Sequence, residues 1–189
     1  MADISILKQY FKDYMCSLKE TSFDEDNGIY LCQSVKEVVN FDDFTQNTKD
    51  FNFKRNKSCD AVYFPNDTME IYCIEFKNQR YSDIDSDNIR GKYVDSLTNL
   101  GYMFAKENIG VKNYTFHFFV VYQNPTNRSA YKARGSENEI KFGLDDEKQK
   151  HKDNYVISNS KIKTKHKDFF KNYYRNFFKD DIKCFDIDN

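Results

Sequence analysis

The sequence predicts an α/β fold, with a central mixed sheet flanked by helices. Three observations carry that prediction. Residues 58–65 and 69–77 read as two strands joined by the turn signal Pro65-Asn66-Asp67. A helical stripe follows at 88–108. The run 114–123, YTFHFFVVYQ, is apolar on both faces, as an inner strand must be. Strand, strand, helix, strand is the order of an α/β sheet.

The 189 residues suit one domain, with a core at about 1–123 and a basic, aromatic extension at 124–189. Aromatics make up 17% of the chain, 18 Phe and 14 Tyr, so much of the burial falls to rings. Net charge is -1, which by itself neither favours nor excludes nucleic acid. The five cysteines are odd in number and lack Cys-x-x-Cys spacing, which argues against zinc and against a disulfide framework. Neither a signal peptide nor a membrane-spanning run is evident, so a cytoplasmic setting without membrane contact is expected.

In chain order, Ile4, Leu7, Phe11, Met15 and Leu18 recur at three- and four-residue spacing and predict a helix over 3–19, with Asp3 as its cap. The acidic, turn-rich 20–28 ends it. Residues 29–40 fit either a helix face or a β-branched strand; the reading leans to strand, followed by a short helical or extended stretch at 41–46. In 58–65, alternation puts Asp60, Val62 and Phe64 on one face. In 69–77 it groups Ile71, Cys73, Glu75 and Lys77, both faces being apolar until the charged end. The alternating Asp83, Asp85 and Asp87 lack the glycine and the final glutamate of a calcium loop; Ser86 or Asp87 as a helix cap is the simpler role. In 88–108 the stripe is Ile89, Tyr93, Leu97, Leu100 and Phe104, with Arg90 and Lys92 facing elsewhere and Gly110 ending the helix. His117, alone in an apolar strand, reads as structural. Residues 128–160 give no clear pattern.

Two carboxylates and a lysine at the ends of neighbouring buried strands need an explanation, because unpaired buried charge is costly. Phosphodiester hydrolysis supplies one. Hard ions such as Mg²⁺ or Mn²⁺ take one or two carboxylates with water. Asp60 and Glu75 are the candidate ligands, with the backbone carbonyl of Phe76 as a third. Lys77, two residues beyond Glu75, would orient the attacking water and stabilise the charge that develops.

Asp60, fourteen intervening residues and then Glu75-Phe76-Lys77 resemble the motif of the PD-(D/E)XK nuclease superfamily. The resemblance covers about 1–123 in element order and three residues in chemistry. It implies a restriction-endonuclease-like αβββαβ core, Mg²⁺-dependent nuclease activity and a role in restriction, repair or defence. It further implies a polar residue after the motif, here Gln79, and a glutamate from the first helix, for which Glu20 and Glu37 are the candidates and Glu37 the assigned metal ligand. The acid follows Cys59 and not a proline, a departure from the motif. Glu-x-Lys alone carries little, since Glu139-Ile140-Lys141 repeats it without the flanking strands.

The chain is polarised in charge. Residues 148–179 hold nine Lys and one Arg against two Asp, whereas 20–50 hold eight acids and two Lys. The last predicted element is a helical extension over 161–179, with Lys163, Lys165, Lys167, Lys171 and Arg175 beside aromatics at four-residue spacing. Those lysines suit phosphate contact, as do Arg90 and Lys92, while the aromatic stripe suits a core. DNA is the expected partner, with RNA and a homodimer left open. The rival reading is an inactive scaffold that binds nucleic acid or a protein.

Overall fold

A computed structural model describes residues 4–49, 57–66, 68–80, 82–123 and 142–166. These form a mixed six-stranded sheet flanked by helices. Its strands are β1 (Met15–Ser17), β4 (Glu37–Asn40), β5 (Ala61–Tyr63), β6 (Glu70–Arg80), β7 (Thr115–Gln123) and β8 (Lys161–His166), and they lie side by side in that order. Pairings from β1 to β6 are antiparallel, and β6–β7 and β7–β8 are parallel. The long strand β6 is therefore central, as its two apolar faces predict. A two-stranded hairpin, β2 (Phe23–Asp24) and β3 (Ile29–Tyr30), stands apart from this sheet.

Each sheet face carries its own core. Val39, Val62, Ile71, Cys73, Phe116, Phe118 and Val120 point to the side covered by helices α1 (Ser5–Phe11), α3 (Phe41–Asn47) and α4 (Ser86–Lys106). Val38, Ala61, Tyr72, Ile74, Phe119 and Val121 point to the other side, against Leu18, Leu31 and Cys32. Alternation along β5 and β6 thus splits these strands between two cores, the two-residue period that the sequence shows.

The long helix predicted over 3–19 is not one helix. It stops at Phe11, passes through a tight turn at Lys12–Tyr14, becomes β1, and restarts as α2 (Leu18–Thr21). Ser17 and Glu20 form a reciprocal capping box that starts the second helix, and Met15–Ser17 is drawn into the sheet by pairing with β4. Asp3 lies outside the described residues. The strand leaning at 29–40 holds as β3 and β4, and 41–46 is the helix α3. The cap of α4 is Asp85, whose carboxylate accepts the Asp87 N–H; it lies one residue before Ser86 and two before Asp87, the predicted caps.

Two short helices lie within 144–158, a stretch without a clear sequence pattern. Helices α5 (Leu144–Lys150) and α6 (Tyr155–Ser158) lie against α4. Tyr93 Oη donates to the Ile157 carbonyl at 3.2 Å and stands 2.7 Å from Ser160 Oγ. Residues 161–166 correct the predicted helical extension: they are a strand, parallel to β7. Lys-Ile-Lys-Thr-Lys-His alternates, and Ile162 and Thr164 turn inward. Lys167, Lys171, Arg175 and the aromatic stripe lie outside the described residues.

Candidate active site

The backbone at Asp60 is fixed on both sides by hydrogen bonds. The Cys59 N–H donates to Ser96 Oγ of α4 at 2.7 Å, and the Asp60 carbonyl accepts the Phe41 N–H of α3 at 3.1 Å. The carboxylate is held as well, Oδ2 accepting the Phe76 N–H at 2.6 Å. This last bond ties the acid at the start of β5 to the end of β6. A backbone bond to a carboxylate is charge-assisted and stronger than a neutral one.

Glu75 is fully buried. It projects to the same sheet side as Ile71 and Cys73, toward α4. Its Oε1 lies 2.8 Å from Lys77 Nζ and 2.9 Å from Lys92 Nζ. Both contacts are ion pairs by distance, but neither is aligned as a hydrogen bond, and Oε2 has no hydrogen-bond partner among the described residues. Burial pushes the Glu75 carboxyl up to about 7; the charge of Asp60 adds to that rise, and Lys92 and Lys77 oppose it. Lys92 Nζ also reaches Asp60 Oδ1 at 3.1 Å, so one ammonium bridges both carboxylates. Burial pulls the Lys92 pKa down, but Asp60 and Glu75 outweigh it and hold the ammonium above its ordinary value. With all four groups ionised, the cluster is neutral.

Asp60, Glu75 and Lys77 are therefore brought together, and Lys92 joins them. The sequence reading had Lys92 facing away from the stripe. Its position, three residues after Ile89 and four before Ser96, puts it on the buried face of α4, where a charge needs a partner. That break in the apolar pattern was the available signal. Arg90 is committed elsewhere: its guanidinium pairs with Asp87, donates to the Phe142 carbonyl at 3.2 Å and approaches Glu147.

Glu37 does not join the cluster. It is exposed on β4, opposite Ser17, and lines a separate groove beside α1 with Lys8, Lys12 and Lys36. Glu20 is taken up by its capping box. Lys163 is half-buried on β8, and the Lys165 side chain lies outside what is described. His117 is buried on the opposite sheet face, stacked on Tyr72 at 4.5 Å between ring centres.

The cluster opens into a cleft of about 470 Å³. Its walls include Asp60, Lys77, Asn78 and Gln79, the 21–27 segment with Leu31, and the approach to α4. The β6–β7 ladder shifts register between Lys77 and Arg80, an irregularity that turns the strand end beside the site. Among the described residues six acids, Asp24, Glu25, Asp26, Asp60, Asp83 and Asp85, line the cleft against one lysine, Lys77. This excess favours a cation and repels a bare phosphodiester.

Among the described residues no group of three or more His, Cys, Asp and Glu is disposed to hold a metal ion. A hard divalent ion needs less, since one or two carboxylates with water suffice. Asp60 and Glu75 meet that requirement, and Glu75 Oε2 is a buried acceptor without a donor. No helix among the described residues is long and apolar enough to cross a membrane. No family model, curated protein or solved structure matches the chain.

Proposed function

We propose that this chain is a metal-dependent nuclease of the PD-(D/E)XK type, acting on DNA. The observation that carries the reading is the convergence of Asp60, Glu75 and Lys77 at one end of β5 and β6, with Lys77 Nζ 2.8 Å from Glu75 Oε1. The order of β5, β6, α4 and β7, with the acids on one sheet face, supports the restriction-endonuclease-like core. Asp60 and Glu75 would hold Mg²⁺ or Mn²⁺; the Phe76 carbonyl remains the third candidate. A bound ion would supply phosphate neutralisation and a more acidic water. Lys77 would position that water and stabilise the charge growing on the phosphate oxygens. Gln79, exposed on the cleft wall, would meet the substrate. Cys16, Cys32, Cys59 and Cys73 are all thiols, which fits a reducing cytoplasm.

The acidic walls favour a second reading, an inactive scaffold that binds a basic partner. Purified protein incubated with plasmid and single-stranded DNA, with Mg²⁺, with Mn²⁺ and with EDTA, separates the two. Metal-dependent cleavage lost in Glu75→Ala and Lys77→Ala supports the nuclease. Cleavage that survives both substitutions rejects the site, and no cleavage of either DNA favours the scaffold.

A further inference from the structure

We propose that Lys92 is a built-in counter-ion of the Asp60–Glu75 pair, and that a divalent ion enters only by displacing its ammonium from Asp60. The proposal rests on the metal-dependent reading above and concerns which cation the pair holds. It follows from the contacts of each carboxylate oxygen. Asp60 Oδ2 accepts the Phe76 N–H at 2.6 Å, and it is Oδ1 that faces Glu75, since the Lys92 ammonium reaches both. Lys92 Nζ is on that oxygen at 3.1 Å and on Glu75 Oε1 at 2.9 Å. An ion bridging the two carboxylates at Oδ1 would stand against the Lys92 ammonium on the same oxygen, and repulsion between the two cations favours release of the Lys92 contact. Glu75 Oε2, buried and without a hydrogen-bond partner, is the oxygen still open to it.

Lys92 is suited to leave. Its side chain is 15% exposed, at the edge of the cluster, whereas Glu75 is sealed. Asn88, one turn earlier on α4, already lines the acidic cleft, and Asp83 and Asp85 stand before the same helix. A released ammonium would face carboxylates there and not an apolar wall. The trade also keeps charge in bounds. A divalent ion added to the neutral cluster with Lys92 in place would leave two uncompensated positive charges beside a buried carboxylate. Lys77 has no such role, because among the described residues its ion pair is with Glu75 and not with Asp60. Lys92 is thus a positioning residue that sets the strength of metal binding.

Direct Mn²⁺ titration, followed by calorimetry or by the electron-spin signal of the free ion, tests this without cleavage. Lys92→Met is expected to bind Mn²⁺ at least about tenfold more tightly than wild type, equivalent to ~1.4 kcal/mol, and to lose that gain when Glu75→Gln is added. Equal binding through Glu75 in wild type and Lys92→Met overturns the proposal and leaves the metal-dependent reading standing. Absence of Mn²⁺ binding in both overturns the proposal and the metal-dependent reading together. Should Lys92→Met not fold, acylation of lysines in the wild-type chain, mapped by mass spectrometry, decides. Saturating Mn²⁺ is expected to raise modification at Lys92 severalfold, and unchanged protection there overturns the proposal.

Discussion

Lys92 and Asp60 join the first turns of α4 to the start of β5 through a 3.1 Å contact between Nζ and Oδ1. Because the same ammonium reaches Glu75, this contact couples helix placement to the charge state of the cluster. Removing one partner of a buried pair strands the other, a loss of about 3–5 kcal/mol. Lys92→Met is therefore expected to lower unfolding stability strongly, and Lys92→Met with Glu75→Gln to recover part of it. Urea melts of the two variants and wild type measure this; a double variant no more stable than the single one would count against the coupling.

The pH dependence of stability carries the signature of Glu75. An unfolded glutamate releases its proton near ~4.3. In the folded chain burial, with Asp60, pushes Glu75 up to about 7. Between those values the folded state keeps a proton that the unfolded state has lost, so stability falls as pH rises through this window and levels off above it. Glu75→Gln removes that slope. Urea melts between pH 4 and 8 are expected to show wild type losing stability relative to Glu75→Gln as pH rises; a constant difference would falsify the raised carboxyl.

Ser96 holds the acid in register from behind. Its hydroxyl accepts the buried Cys59 N–H at 2.7 Å, one residue before Asp60. Ser96→Ala leaves that N–H without its partner, a cost of about 1–3 kcal/mol. The expected result is a lower denaturation midpoint together with weaker Mn²⁺ binding. Lost stability with unchanged Mn²⁺ binding would show that Ser96 supports the fold alone.

The hairpin acids set how readily an anion approaches. Asp24, Glu25 and Asp26 belong to the cleft wall, within reach of one another at physiological screening of about 8 Å. Changing the three to Asn, Gln and Asn is expected to tighten single-stranded DNA binding severalfold at low salt and little at high salt. Fluorescence anisotropy at two ionic strengths reads both effects. An unchanged low-salt affinity would mean that DNA does not approach through this cleft.

Lys77→Ala is expected to reduce Mn²⁺-supported DNA cleavage by about 10²-fold or more while leaving Mn²⁺ binding intact, since in the proposed mechanism Lys77 would act on the water and the phosphate charge and not on the ion. Cleavage at the wild-type rate would remove Lys77 from the mechanism.

What was legible in the sequence was whatever its own periodicity encodes. β6 and β7 carry apolar residues on both faces, and α4 carries a long stripe, so their kinds and approximate bounds follow from local pattern. Counting alternate residues groups Glu75 with Lys77 on one strand and Asp60 with Val62 on the other; the register of Val62 against Cys73 is what brings the two faces together. What failed depends on distant partners. Met15 continues the helical spacing of Phe11, yet β4 pairs with it and makes it strand. Ser17-x-x-Glu20 was a visible capping signal inside the predicted helix. Lys161–His166 has a strand's alternation, masked by the aromatic spacing that follows it. Lys92 broke its stripe in plain view, but its two carboxylates lie far away in sequence.

β6 is the seam where the antiparallel half of the sheet meets the parallel half. Asp60 arrives by a hairpin, a local and quickly closed connection. Lys92 arrives on the crossover helix that leads to β7, a longer loop to close. The cluster exists only once both halves have docked, so it reports on completed folding. Amide exchange at Phe76, whose N–H ends on Asp60, should follow the global unfolding of the chain and not the fraying of either half.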